Sequence, residues 1–547
     1  MSELDGLSAL IIEPHQGMRA SIHSMLNLCG LNKIEDAGGS NAAVKHVTSR
    51  AFDLILCEYD LDGGQDGQQL LEDLRHHKLI SMSTMFFMVT AEGNFGKVIS
   101  AAELAPTDYI LKPFTADRLL ERIGRALEKR NAFMQAHQLM ELGNQADAIA
   151  ACIDGVRLHP RYAIDFLRLR AELHMVLGEA AEAEAIYQQL FEARQIGWAR
   201  LGMARTLYMR ERYQEAREML EGLIEANKKY VDAYDWLART LAAMGELEQS
   251  QAVLLDAVSV SPHAVRRLRK LGEVALETGD TETAEKVLKQ VVSKAKYSEF
   301  RDPEDHVRLV QTLVKKGDPV QAAAVIRDLD KSMGGQRNTL VCSAISSAMV
   351  HEYTGNDVRL AESLSAAVEA CRDAPGLSSE VKLELARNCL QNNMEEGASE
   401  VMRDVMRNAP NNAAMTRAMS VFEKAGRGDL AGALAQESRQ AVLELVAAGA
   451  TRAKEGDYRG AVALMMEAVD KLPDNPQVAF NAAVAALKCL ENLGWDERLG
   501  QSVKSLIGTV RRLEPLNPKL PALASLHQTI LKQYDKGVRA AKAPRAA

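Results

Sequence analysis

Apolar positions follow two different rhythms along this chain. In the first 130 residues, short unbroken apolar runs (Ser8–Ile12, Phe52–Cys57, Met85–Val89 and Tyr109–Leu111) alternate with stretches where apolar residues return at helical spacing. Met18, Ile22, Met25 and Leu26 form one such stretch, and Leu70, Leu71 and Leu74 another. Unbroken short runs fit strands buried on both faces, and the helical spacing fits helices with one apolar side. Strand and helix in alternation predict a parallel sheet covered by helices on both sides. Thr115 stands where it caps the last helix of this region, with Asp117 in the first turn and Leu119, Leu120, Ile123 and Leu127 along the apolar side.

From residue 131 the rhythm is helical throughout, and it recurs. Small residues stand at Ala136, Ala171, Ala204, Ala238 and Gly272, at spacings of 35, 33, 34 and 34. A second small series, Ala148, Ala183, Ala216, Ser250 and Ala284, runs twelve residues behind the first. Between them lie Gly143, Gly178, Glu211, Gly245 and Gly279, a turn series that only Glu211 breaks. Small residues let two antiparallel helices approach closely, and glycine supplies the left-handed turn between them. One such pair cannot bury its own apolar face, so pairs stack into a solenoid. The period near 34 resembles the tetratricopeptide repeat, closely over 131–295, again over 445–485, and more loosely between. Residues 338–372 and 413–440 read as degenerate hairpins, with Pro303, Gly334-Gly335 and Pro375-Gly376 as bends. The predicted organisation is a sheet domain at 1–130, regular repeats at 131–300, degenerate repeats at 301–540 and a mobile tail at 541–547. The charged helix formers Glu128-Lys129-Arg130-Asn131 predict a helix continuous across the first boundary.

Composition narrows the function classes. A chain of 547 residues exceeds what one core supports, and 5% aromatics beside 47% hydrophobic residues favour a helix-rich build. A net charge of −8 argues against a dedicated nucleic-acid binder. The seven cysteines are scattered, odd in number and free of CxxC spacing, as expected of free thiols in a reducing compartment. The acidic start lacks a signal-peptide pattern, and no apolar run reaches membrane-spanning length, so a cytoplasmic protein without membrane insertion is expected.

In parallel sheets the working residues gather at the strands' carboxyl ends. Glu13, Glu58, Thr90 and Lys112 all fall there, and Tyr109 lies on the last strand. Together with Gly67-Gln68-Gln69-Leu70-Leu71 and Lys112-Pro113-Phe114, this order resembles the receiver domain of two-component response regulators, over roughly 6–129. The resemblance implies a flavodoxin-like α/β fold of five parallel strands. It implies a strand-three acid that accepts a phosphoryl group, paired acids after strand one that help hold magnesium, and a lysine and a hydroxyl that grip the phosphoryl oxygens. It also implies a strand-five aromatic, here Tyr109, that switches with the state, and a docking face that includes Glu103, Arg118 and Arg122.

Two departures alter that expectation. Glu13-Pro14 stands where the family has two adjacent acids, and Glu58 where it has an aspartate. Magnesium needs near-octahedral oxygen ligands and tolerates little displacement. Glu58 carries its carboxylate about 1.5 Å further out, and misplacing reacting atoms by about 1 Å costs on the order of a hundredfold in rate. A magnesium site on Glu13, Glu58 and the Asp60 backbone is therefore expected to be weak or absent, with no other cofactor. Glu58 is expected to pair with Lys112, aided by Thr90, in a pocket that is retired or partly imitates the phosphorylated state. Asp66 is available as a helix cap.

In the repeats, Arg168, Arg205, Tyr208, Arg239 and Arg269 are expected to face the groove, where guanidinium forks fit the carboxylates of an acidic peptide. The alternative is a solvated face with helix pairs Arg168–Glu172 and Arg269–Glu273. Trp198 and Trp236 are expected to pack in the core. No P-loop, GxSxG, GxGxxG or HExxH is present, so no enzyme activity is expected. The leading expectation is a signalling adaptor whose altered receiver controls or presents a repeat scaffold to other proteins. The alternative is a phosphorylatable regulator, partnered by a sensor histidine kinase, with the repeats as output.

Overall fold

The structure, a computed structural model, describes the chain apart from residues 1–3, 5, 62–65, 92–105, 142–143, 195–196, 263, 296–300, 373, 375, 410–411, 474, 515–516 and 543–547. Five strands, β1 (Ser8–Ile12), β2 (Lys33–Ala37), β3 (Leu54–Glu58), β4 (Met85–Ala91) and β5 (Asp108–Lys112), form one parallel sheet in the order β2-β1-β3-β4-β5. Successive strand residues point to opposite faces, so the apolar runs feed two cores. On one side Ala9, Ile11, Leu54, Leu56, Phe87 and Val89 meet α1 (Gln16–Leu28) and α4 (Ala116–Glu141) through Ile22, Leu26, Leu119 and Ile123. On the other, Leu10, Ile12, Ile55, Cys57, Phe86 and Met88 meet α2 (Ser40–Ser49) and α3 (Gly67–His76) through Val44, Val47, Leu70, Leu71 and Leu74. Each side chain buried this way contributes roughly 1.5–3 kcal/mol.

Two local devices place the sheet's carboxyl edge. Asp66 caps α3: its carboxylate accepts from the Gln69 amide at 2.8 Å while the Gln69 side chain accepts from the Asp66 amide at 3.2 Å. Gly67 follows because any Cβ there would run into the Glu58 carbonyl oxygen. The start of α3 is thereby pressed onto the end of β3.

Helix α4 crosses residue 130 without a break, as its charged helix formers predict, and the Thr115 hydroxyl caps it by accepting from the Arg118 amide at 3.4 Å. Arg130 ties it to the sheet domain, donating to Ser83 O at 2.9 Å and to Asp53 at 2.7 Å. On the same helix, Lys129 pairs with Asp165 at 2.8 Å and Glu128 with Arg161 at 3.0 Å, which fastens it to the start of the second repeat as well.

Helix pairs fill the rest: α5 (Gln145–Leu158), α6 (Ala163–Val176), α7 (Ala180–Arg194), α8 (Gly197–Met209), α9 (Tyr213–Ala226), α10 (Val231–Ala243), α11 (Leu247–Val260), α12 (Val265–Thr278), α13 (Thr281–Ala295), α14 (Pro303–Lys315) and α15 (Pro319–Met333). Two compact units divide the chain. The first holds the sheet domain and the helices to Met333, and the second the helices from Gly334 on, two short stretches at 142–145 and 175–179 excepted. In the second lie α16 (Arg337–Tyr353), α17 (Asp357–Cys371), α18 (Ser379–Gln391), α19 (Glu395–Arg407), α20 (Asn412–Lys424), α21 (Gly428–Lys454), α22 (Tyr458–Lys471), α23 (Pro476–Leu493), α24 (Glu497–Leu513) and α25 (Leu520–Lys542).

The small-residue series lies buried where the helices of a pair meet, and Ser250 keeps its hydroxyl satisfied by donating to Ala238 O at 2.8 Å. The turn series extends well past the residues where its period is regular. Left-handed backbone recurs at Gly178, Glu211, Gly245, Gly279, Gly317, Gly355, Asn393, Gly426 and Gly456, at spacings of 33, 34, 34, 38, 38, 38, 33 and 30. Glu211 adopts φ +59° where its neighbours in the series carry glycine, so the geometry of the turn outlasts the residue type that favours it. The expected hairpin at 338–372 coincides with the helix pair α16 and α17, whereas 413–440 takes in α20 and only the first part of α21, which runs on to Lys454. Pro303 is not a bend: it opens α14 behind the capping Asp302, where its missing N–H has no intrahelical partner to lose. Of the predicted tail, 541–542 close α25 and 543–547 lie outside the described residues.

Candidate functional site

Because β1 neighbours β3, and β4 and β5 follow in order, the strand ends bring Glu13, Glu58, Thr90 and Lys112 to one edge. Lys112 sits between two carboxylates. Its ammonium donates to Glu13 Oε2 at 2.8 Å and also to Glu58 Oε2. The other oxygens are taken as well: Glu58 Oε1 accepts from the Tyr59 amide at 2.8 Å and the Asp60 amide at 3.3 Å, and Glu13 Oε1 from the His15 amide at 3.0 Å. Glu13 is 1% exposed, Glu58 11% and Lys112 20%. The longer side chain at 58 thus folds back over its own strand end and meets the lysine.

Burial lifts the Glu58 carboxyl above its ordinary value, against the opposing pull of Lys112 and the Asp60 amide. Burial alone would lower the Lys112 ammonium, but hydrogen bonds to both glutamates hold it above its usual range. The Thr90 hydroxyl is fully buried and donates to Ala91 O at 3.3 Å, so the pocket's hydroxyl does not reach Glu58 as expected.

Magnesium does not fit this donor set. Every oxygen of Glu13 and Glu58 already accepts a hydrogen bond, Pro14 offers no side-chain ligand, and Lys112 places its positive charge between the two carboxylates. No group of three or more metal-ligating side chains occurs among the described residues.

Tyr109 is half-buried and, like Tyr59, packs against the core that holds Phe86 and Met88; burial, with the nearby Glu72 charge, pushes its phenol up to about 12. Arg122 is held by Asp108 at 2.7 Å and by Tyr109 O at 3.0 Å. Glu103, the other acid of the expected docking face, lies outside the described residues.

The repeat arginines divide. Arg168 lies over Trp198 at 5.0 Å, Arg205 and Arg239 lie over Trp236 at 5.3 and 4.8 Å, and Tyr208 meets Trp236 edge-on at 5.5 Å. Four of the five expected groove residues are therefore organised by two half-buried tryptophans. Trp236 packs one side on the core of α8 to α10 and takes the arginines on its ring face. Sequence reasoning missed this because it weighed arginines and tryptophans separately; the spacing Arg168, Trp198, Arg205, Trp236, Arg239 carried the signal. Arg269 stands apart, forked onto the buried Asp305 at 2.6 and 2.7 Å. Neither expected helix pair forms: Glu172 pairs with Arg205 at 3.0 Å, and Glu273 with Lys270 at 3.3 Å and Arg308 at 3.2 Å. These bonds run mostly between successive helix pairs, so they hold the stack together.

Residues 9–124 match the family model of the response regulator receiver domain, and residues 207–271 match that of the tetratricopeptide repeat. The chain carries a receiver domain followed by tetratricopeptide repeats, the build of a response-regulator-type signalling adaptor, and both domain types are generally non-catalytic. Among curated relatives, the chemotaxis protein CheY-3 of Vibrio cholerae is 28% identical over 123 residues, 22% of this chain and 93% of that protein. The chemotaxis protein CheY of Pseudomonas aeruginosa is 29% identical over 125 residues, 23% of this chain and 99% of that protein. Among solved structures, a tetratricopeptide repeat protein from Parabacteroides merdae is 13% identical, with a TM-score of 0.32 over 50% of this chain and 98% of that one. YrrB, described as a TPR protein with an unusual peptide-binding site, is 14% identical, with a TM-score of 0.29 over 34% of this chain and 93% of that one. No helix among the described residues is long and apolar enough to cross a membrane.

Proposed function

We propose that this chain is a signalling adaptor in which an altered receiver, with Glu58 at the acceptor position, controls or presents a tetratricopeptide scaffold to other proteins. The observation that carries this reading is Lys112 bridging Glu13 and Glu58. In the resemblance, the lysine waits for a phosphoryl oxygen and the strand-one acids for a cation. Here the lysine already has its counter-charges. A carboxylate carries one negative charge against about −1.5 to −2 for a phosphate, so the pocket resembles a partly charged, permanently engaged state. On the repeats, the exposed Arg168 and Arg239, backed by Trp198 and Trp236, are the cations best placed for an acidic protein segment, while Arg205 and Arg269 serve internal pairs.

The test is incubation with acetyl phosphate and magnesium, followed by intact-mass detection. The wild-type chain is expected to gain no phosphoryl mass, and the double variant Glu58→Asp, Pro14→Asp to gain it. A stoichiometric gain in the wild type, abolished by Glu58→Gln, overturns the reading in favour of a phosphorylatable regulator.

A further inference from the structure

A row of touching side chains crosses the first helices of three successive pairs. Arg168 and Glu172 stand one turn apart on α6, so they share a side of it. Arg168 lies over the ring of Trp198 on α8 at 5.0 Å, and Glu172 accepts from Arg205, also on α8, at 3.0 Å. Arg205 lies over Trp236 on α10 at 5.3 Å, and Arg239 lies over the same ring at 4.8 Å. Helices α6, α8 and α10 thus present one continuous strip of rings and charges.

Its three arginines are not equivalent. Arg168 and Arg239 are exposed, and among the described residues no carboxylate pairs with either. Arg205 is half-buried, and its charge is answered by Glu172. Glu172 is fixed in turn by the fully buried Tyr187 of α7, whose hydroxyl donates at 2.9 Å to the same oxygen that Arg205 reaches. A ring face seats a guanidinium flat and leaves its N–H edge free for a carboxylate. The middle of the strip is therefore neutral, because Arg205 and Glu172 cancel, while each end keeps one positive charge.

We infer that Glu172 sets the specificity of this strip: by neutralising Arg205 it leaves two ring-backed arginines, on α6 and α10, that select an extended acidic segment with two carboxylates about six residues apart. The spacing follows from packing. Neighbouring helices lie about 8–10 Å apart, so the two steps from α6 to α10 span about 16–20 Å. An extended chain rises about 3.3 Å per residue, so that span takes about six residues, and an even number keeps both side chains on one side. Glu172 also repels an acid that approaches the middle. The strip is the groove surface already proposed for an acidic segment, so selection by Glu172 rests on that reading.

Two peptides of equal length and charge test the selection, one with glutamates at i and i+6 and one with glutamates at i and i+2, each titrated calorimetrically into the full chain. The wild type is expected to bind the wide peptide about fivefold more tightly, on the scale of one ring-backed charge pair. Arg168→Met and Arg239→Met are each expected to abolish that preference by weakening the wide peptide. Glu172→Gln keeps the side chain's shape and an oxygen for the Tyr187 hydroxyl but turns the middle of the strip positive, so the close peptide is expected to bind it as tightly as the wide one. Equal binding of the two peptides by the wild type overturns the inference and leaves the groove reading standing, and that comparison is independent of how any variant folds. A Glu172→Gln chain that keeps the full preference for the wide peptide also overturns it. Failure of both peptides to bind the wild type rejects the groove reading itself, and the inference with it.

Discussion

Replacing Lys112 by methionine keeps the length of the side chain and removes the one cation that faces two buried carboxylates. Glu13 and Glu58 would then confront each other with no counter-charge. Glu58, already lifted by burial, then binds a proton more readily. The cost follows from the pH. Starting from the ordinary glutamate value of 4.5, binding a proton at pH 7 costs about 1.4 kcal/mol for each of roughly 2.5 units, or about 3.4 kcal/mol. That is a ceiling on what the unpaired charge itself can cost, and it agrees with the roughly 3–5 kcal/mol lost when one partner of a buried ion pair is removed. At pH 5 the same reckoning gives about 0.7 kcal/mol.

The direction is set by burial, which already holds Glu58 above its ordinary value. A raised carboxyl contributes stability below its unfolded value of 4.5 and loses it as pH rises through the folded value; removing Lys112 moves that folded value higher and widens the window of loss. All three tryptophans (198, 236 and 495) lie outside the receiver, so their fluorescence does not report on it. Native-state hydrogen exchange of the β1, β3 and β5 amides does. Lys112→Met is expected to lose about 3 kcal/mol of strand protection at pH 7 and under about 1 kcal/mol at pH 5. Adding Glu58→Gln should return most of the loss at pH 7. A loss equal at pH 5 and pH 8, or one deepened by Glu58→Gln, would refute the electrostatic reasoning.

Other outcomes can be checked alongside. Glu211→Gly relieves a left-handed glutamate and should stabilise the repeats by about 0.5–1 kcal/mol in urea unfolding followed by tryptophan fluorescence, whereas Gly245→Ala should destabilise them by about 1 kcal/mol. Arg269→Met leaves Asp305, 1% exposed, without its forked partner and should cost about 3 kcal/mol in the same assay; adding Asp305→Asn should recover more than half of it. Trp236→Leu removes the ring under Arg239 and should weaken capture of an acidic peptide by the full chain by about fivefold, on the scale of one cation–π contact. Unchanged peptide affinity in that variant would place the binding surface elsewhere.

Much of this architecture could be read from the chain because it rests on local periodicity. Unbroken apolar runs specified the strands, and their alternation with helices specified a parallel sheet with its polar residues at one edge. The spacing of small residues specified helix pairs, and the buried series shows why: at Gly272 even a Cβ would run into Leu288 on the facing helix. The Glu58–Lys112 pair was legible too, since the topology leaves little else for a carboxylate at that strand end. What tertiary structure alone decided is which charge answers which. Glu13 met Lys112 because the parallel order of the sheet brings the carboxyl ends of β1, β3 and β5 to one edge, though these strands are far apart in sequence. Thr90 gave its hydroxyl to Ala91 O, while the Glu58 carboxylate took backbone amides and the lysine. Arg205, Arg267 and Arg269 found acids on other helices, since the stacking of pairs brings residues some thirty positions apart closer than residues one turn apart. The sequence carries period and polarity; partners of long, flexible charged side chains depend on distances that only the packed chain fixes.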